Sequence, residues 1–214
     1  MELAINTDFT YEHQEIERIE RCLRSISGAG FSHIHWCHDW DGDYMYAEAE
    51  MEQIRDWMKK YGLRCKGLHA SKGSSRPTRE MRWHYRKDYT SSIEYNRRAG
   101  VELIRNRVLL AEKIGCRDVV LHMCIPTVDF ARDAECREAF YERAFCSLDE
   151  LLPFCREKGV RICIENLFEA APWMQVDQFD RLLGRYPEDF LGLCLDTGHA
   201  NMVWGNDFVD ELLL

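Results

Sequence analysis

The sequence predicts an α/β fold of the (β/α)8 TIM-barrel type, represented by its first six βα units in one domain over residues 1–214. Three observations predict it. Short apolar runs alternate with longer stretches of helical periodicity, which implies parallel strands joined by right-handed crossovers. No Gly-x-Gly-x-x-Gly or Gly-x-x-x-x-Gly-Lys loop follows a strand, so the usual mark of a nucleotide-binding doubly wound sheet is missing. Residues of metal-ligand type also stand at the ends of five consecutive strands.

"ELAIN" reads as the first strand. The helix after it opens near Thr10, places Ile16, Ile19, Leu23 and Ile26 on one face, and stops at Gly28 and Gly30. "FSHIHW" is the second strand. A helix from about Ala47 to Tyr61 follows, with Met51, Ile54 and Trp57 or Met58 inward and Gly62 as its C-cap; "LRCKGLHA" is strand three. The irregular insertion "SKGSSRPTREMRWHYRKDYTSS" leads to a helix from about Ile93 to Gly115, whose Val101, Ile104, Val108, Ala111 and Ile114 share a face. "CRDVVLHM" is strand four, a helix from about Asp133 to Lys158 ends at Gly159, and "VRICIENL" is strand five. A helix around Val176 to Arg185 precedes "FLGLCLD", strand six, and "DFVDELLL" starts a further helix.

A content of 46% hydrophobic and 30% charged residues fits a folded globular chain. The net charge of -9 argues against a surface built to hold nucleic acid, and no apolar run approaches the roughly 20 residues of a membrane span. The ten cysteines form no Cys-x-x-Cys pair, and Cys65, Cys124, Cys163 and Cys194 lie in apolar runs. With no signal peptide at the start, they read as small reduced core residues of a cytoplasmic protein.

The residues that leave the strands are His38 and Asp39, His69, His122, Glu165, and Asp196 with His199. Each gap fits one βα unit, and the widest contains the insertion. In a parallel barrel these positions converge at the C-terminal mouth, where such barrels place their chemistry. A divalent cation would satisfy carboxylates and imidazoles there, and the mixture of nitrogen and oxygen suits Zn, Mn, Co or Fe(II) better than Ca. Plainer readings stand beside this one: a lone His at a strand end caps or packs, and Asp196 N-caps the next turn. Glu165 resists such a reading, because "ICIENL" sets a carboxylate in an apolar run at a cost of several kcal/mol if unpaired. Gly198 is read as the turn that aims His199 at the same point.

Trp40, Trp173 and Trp204 each follow a strand, where they either pack on the apolar face of a bound ring or chain or simply fill loops. The insertion sets Lys72, Arg76, Arg79, Arg82, Arg86 and Lys87 against Glu80 and Asp88. It reads either as a lid for a phosphate or acid group or as a solvated loop.

With "GLHAS", "VVLHM", "ICIENL" and "LCLDTGHAN" in place, the chain resembles the xylose isomerase-like barrel superfamily from strand one to strand six. The resemblance implies a metal-dependent isomerase or epimerase of a sugar or sugar phosphate, working by proton transfer through an enediolate. It implies one divalent metal (Mn, Zn, Co or Mg) on Glu165 and Asp196, with Glu165 also a general base and His199 on the substrate. His122, His38 and the three tryptophans are further candidates for substrate contact. In the branch resembling endonuclease IV, an abasic-site nuclease, the same positions with His69 and His122 would belong to a three-zinc cluster, and the insertion would grip DNA. Both branches normally continue through two more strands, bringing another His ligand and a last Glu. The end of the chain after the sixth unit therefore reads as truncation of a longer frame. The alternative is an open barrel with an incomplete metal site, whose strand edges an oligomer would have to cover. A non-catalytic binding fragment is the third reading, and the acidic charge favours a sugar partner over nucleic acid.

Overall fold

The computed structural model describes residues 3–9, 16–77 and 83–205. Its main sheet contains β1 (Ile5–Asn6), β2 (His33–Trp36), β3 (Arg64–His69), β6 (Asp118–Leu121), β7 (Arg161–Glu165) and β8 (Leu191–Cys194). These strands lie side by side in that order and every pairing is parallel. A doubly wound sheet reverses direction at a switch point, whereas this order never does, which is the arrangement of a barrel wall. Among the described residues, six βα units of a (β/α)8-type barrel are present, with β1 and β8 at the two edges.

The outer helices are α1 (Ile16–Gly28), α2 (Glu48–Lys60), α3 (Glu94–Ile114), α5 (Ala134–Lys158) and α6 (Pro172–Arg185). Their boundaries follow local chemistry. Glu50 accepts a 2.6 Å hydrogen bond from the Ala47 N–H at the start of α2, and Lys59 and Lys60 sit at its negative end. Asp133 caps α5 by accepting from the Glu135 and Cys136 N–H groups, and α5 ends where Gly159 takes φ +65°. Leu23, Ile54, Ile104, Val108 and Leu148 bury the inner faces of these helices against Ile34, Leu68, Leu121, Ile162 and Ile164 of the sheet. Strand alternation then turns the intervening positions, including Cys163 and Glu165 on β7, to the barrel interior.

Several expectations are corrected. The insertion forms a hairpin of β4 (Ser74–Pro77) and β5 (Trp83–Arg86), paired antiparallel, rather than irregular chain. A short helix α4 (Thr127–Arg132) precedes α5, and α6 begins at Pro172, whose fixed φ suits a first helical position. Gly198 is no turn: it lies inside α7 (Thr197–Trp204). The helix start near Thr10, the segment "DFVDELLL", Arg79, Glu80, Arg82 and the Trp204 side chain lie outside the described residues. All ten cysteines are free; Cys65 and Cys163 are buried, while Cys124 and Cys194 are half-buried. Among the described residues, no helix is long and apolar enough to cross a membrane.

Candidate metal centre

Three βα units deliver the first group of side chains. His69 ends β3, His122 follows β6 directly, and Glu165 ends β7. His69 Nε2 and His122 Nε2 lie 3.1 Å apart, and both face Glu165 Oε2, at 3.3 and 3.1 Å. Behind them, the Tyr89 hydroxyl donates to the His122 carbonyl at 3.0 Å. His69 Nδ1 faces the Ala70 carbonyl at 3.0 Å; that oxygen can only accept, so Nδ1 carries a proton and the other ring nitrogen, Nε2, is the one turned inward.

The second group shares the same carboxylate. Glu165 Oε1 is 3.2 Å from His199 Nδ1, which is also 3.9 Å from Asp196 Oδ2. Asp196 divides its oxygens: Oδ1 caps α7 by accepting from the His199 N–H at 2.7 Å, leaving Oδ2 on the Glu165 side. The capping reading and membership of the cluster are thus both realised by one residue. Asn166, fully buried, exchanges two bonds with the Asp196 backbone at 2.7 and 2.9 Å and accepts from His199 Nδ1 through its own carbonyl at 2.9 Å. Sequence reasoning passed over Asn166, although a second polar residue directly after Glu165 in a buried run was a usable signal.

Burial raises the pKa of Glu165, but hydrogen bonds and charge from His122 and His69 outweigh it and hold the carboxyl well below the usual range. Burial, against the opposing pull of Glu165, keeps His122 below its ordinary value. An ionised carboxylate beside a neutral imidazole is the ligand form of each. Metal bonds of 2.0–2.2 Å in tetrahedral geometry set donors about 3.3–3.5 Å apart, close to the spacings around Glu165 Oε2, so these residues fit a divalent cation. The potential donors of His69, His122 and Glu165 lie within 4.8 Å of one another, as do those of Glu165, Asp196 and His199.

Trp40 stands over the first group, its ring centroid 5.1 Å from His69 and 5.6 Å from His122. The loop that carries it is held from below by Arg107, a fully buried side chain on α3 that donates to the carbonyls of Asp39 and Tyr44. His38 is not brought into either group; its ring packs 4.8 Å from Trp36. Trp173 lies on α6, 48% exposed, under the Arg137 guanidinium. Two cations of the insertion reach the β2–α2 loop: Lys87 donates to the Asp43 carbonyl at 2.7 Å, and Arg86 lies 3.9 Å from the Asp43 carboxylate.

One layer deeper, His35 meets His69 edge-on at 6.2 Å between centroids. A methyl group on Gly67 would lie 2.6 Å from His35 Nδ1, so the glycine makes the space for this ring. Gly67→Ala is expected to destabilise by about 1–3 kcal/mol, and His35→Ala is expected to restore most of that loss when combined with it. Equilibrium denaturation of the single and double variants checks this; additive losses would contradict it.

Burial, reinforced by His69, also pushes the His35 pKa down to about 4. The unfolded ring titrates near 6.5, so between about pH 4 and 6.5 the unfolded chain binds more protons and stability rises with pH. The span corresponds to about 3 kcal/mol in metal-free protein. Thermal melts in chelator should show this slope flattened in His35→Asn, and an unchanged slope would contradict the assignment.

An all-parallel wall with imidazoles and carboxylates gathered at its C-terminal mouth defines a (β/α)8-type barrel with a candidate metal centre. The chain belongs to the family described as xylose isomerase-like TIM barrel, whose model matches residues 23–214. It is 36% identical over 202 residues to the uncharacterized protein y4fM of Sinorhizobium fredii (strain NBRC 101917 / NGR234), covering 91% of this chain. The match takes in 64% of that relative, so the chain spans less than two thirds of its length. Two solved structures share the fold. The apo form of the 3-keto-D-glucoside 4-epimerase YcjR of E. coli is similar with a TM-score of 0.68 at 15% identity, covering 100% of this chain and 74% of that one. The D-allulose 3-epimerase of Methylomonas sp. in complex with D-allulose gives 0.68 at 17% identity, covering 100% and 68%.

Proposed function

We propose that this protein is a metal-dependent isomerase or epimerase of a sugar or sugar phosphate in the cytoplasm. The observation that carries the reading is Glu165: one buried carboxylate faces His69 and His122 through Oε2 and His199 through Oε1. The family, and the similarity to epimerases of D-allulose and of 3-keto-D-glucosides, support it.

Glu165 and Asp196, with the neighbouring histidines, would hold the divalent cation. When bound, such a cation supplies Lewis acidity that makes a C–H beside a carbonyl easier to deprotonate. Glu165 acts as general base, taking the proton from the carbon next to the sugar carbonyl and returning it to the enediolate. His199, its Nδ1–H directed to the Asn166 carbonyl, presents Nε2 to a substrate oxygen. Trp40 supplies an apolar wall for the carbon skeleton. Incubation of the manganese-loaded protein with ketoses, followed by chromatography, tests the reading: a chelator-sensitive epimer or isomer is expected, and its absence across C5 and C6 ketoses, their phosphates and their glycosides would contradict it.

A second reading, an abasic-site nuclease, draws on one observation, the complete His69, His122 and Glu165 group. Chelator-sensitive cutting of a duplex with a single abasic site would favour it over the sugar enzyme. The net charge of -9 weighs against it.

A further inference from the structure

Beside the metal centre lies a cavity of about 690 Å³ that the proposed proton transfer does not use. Met123 and Cys124, which follow His122 directly, form part of its wall, and Leu167, two residues beyond Glu165, forms another. With consecutive Cα atoms ~3.8 Å apart, the cavity adjoins the cluster. Its volume falls within the range of small-molecule sites, well above what one reacting sugar carbon chain requires.

The chemistry of the lining is balanced. Arg143 spends only Nε, on the Thr90 carbonyl at 3.1 Å, and its two terminal nitrogens make no hydrogen bond among the described residues. Among the described residues, Asp88 accepts only through Oδ1, from Thr90, and the exposed Glu169 carboxylate has no hydrogen-bond partner. Arg86 is the second cation of the lining. An anion placed here would meet Asp88 and Glu169, and a cation would meet Arg143, Arg86 and, beside Cys124, Lys72, so a charged ligand of either sign meets like charge. A neutral molecule with many hydroxyl groups can donate to the carboxylates and accept from the guanidinium, while apolar walls such as buried Phe140 receive its C–H faces.

We infer that this cavity takes a second, uncharged sugar unit, so that the substrate is a glycoside or disaccharide instead of a free monosaccharide or sugar phosphate. The inference rests on the sugar reading of the metal centre and deepens it by naming the substrate class.

The test is calorimetric titration of the manganese-loaded protein with D-fructose, fructose 6-phosphate, and isomaltulose, a fructose that carries a glucosyl group on O6. Isomaltulose is expected to bind about tenfold more tightly than D-fructose, the worth of one hydrogen bond to a charged group. Arg143→Leu and the surface variant Glu169→Ala should each shrink that ratio while leaving D-fructose binding unchanged. Equal affinities, a ratio unchanged in both variants, or tighter binding of fructose 6-phosphate than of isomaltulose would overturn the inference. Proton exchange of D-fructose in D2O separates the two levels. Exchange without a disaccharide preference defeats the cavity assignment alone; cavity-dependent disaccharide binding without exchange of either sugar defeats the reaction alone; no binding of any sugar defeats both.

Discussion

Glu165→Gln is expected to weaken binding of a divalent cation by about 100-fold or more, beyond the 10–100-fold typical of losing a ligand's supporting partner. The amide keeps the shape of the side chain but removes the charge that both ligand groups share. Fold should persist, because the carboxylate is buried among imidazoles at the mouth and the apolar core lies on the other face of β7. Asp196→Asn should weaken binding less, since an amide oxygen can still cap α7 while the charge facing Glu165 and His199 is lost. Equilibrium dialysis with manganese or zinc, read by elemental analysis and paired with circular dichroism, checks both. Unchanged metal content in the two variants would remove the site assignment.

Gly100→Ala should be the most destabilising single methyl addition on α3. Its Cβ would lie 2.3 Å from the Tyr89 amide nitrogen and 2.5 Å from the Asp88 carbonyl carbon. Both are backbone atoms and cannot rotate away, so α3 must retreat from the segment that precedes it. The expected cost is about 3 kcal/mol, the upper part of the range for overpacking, or about 6–12 °C in Tm for a chain of this size. The shift should also reach the site, because Tyr89 supports the His122 carbonyl. Gly184→Ala is the control: nothing lies within 4 Å of its Cβ on α6, and the better helix former should stabilise by about 0.5–1 kcal/mol. Thermal melts that rank the two variants the other way would contradict this packing.

The barrel was legible because its signals are local and repeated. Ile162 and Ile164 alternate with Cys163 and Glu165, and Gly115 and Gly159 stop their helices in the left-handed region. The hairpin of β4 and β5 was not, since Ser-Ser-Arg-Pro and Trp-His-Tyr-Arg show no apolar alternation and pair through the backbone. Helix α7 was hidden for a different reason. "TGHANMVW" contains the weak helix formers Gly and Asn, and its N-cap, Asp196, has a type that also reads as a ligand. Strand ends indicated which side chains converge, and the structure brings His69, His122, Glu165, Asp196 and His199 together. Spacing alone could not separate His38 from this set, because its direction depends on the β2–α2 loop, where Asp39 adopts φ +57° and Arg107 holds the backbone.

The most direct test is proton NMR of D-fructose in D2O with the manganese-free, magnesium- or zinc-loaded protein. Progressive loss of the signal from the C–H next to the carbonyl is expected, abolished by chelator and by Glu165→Gln. A fully metal-loaded protein that leaves that proton untouched, on D-fructose and on isomaltulose alike, would contradict the assignment of Glu165 as the base of a sugar isomerase or epimerase.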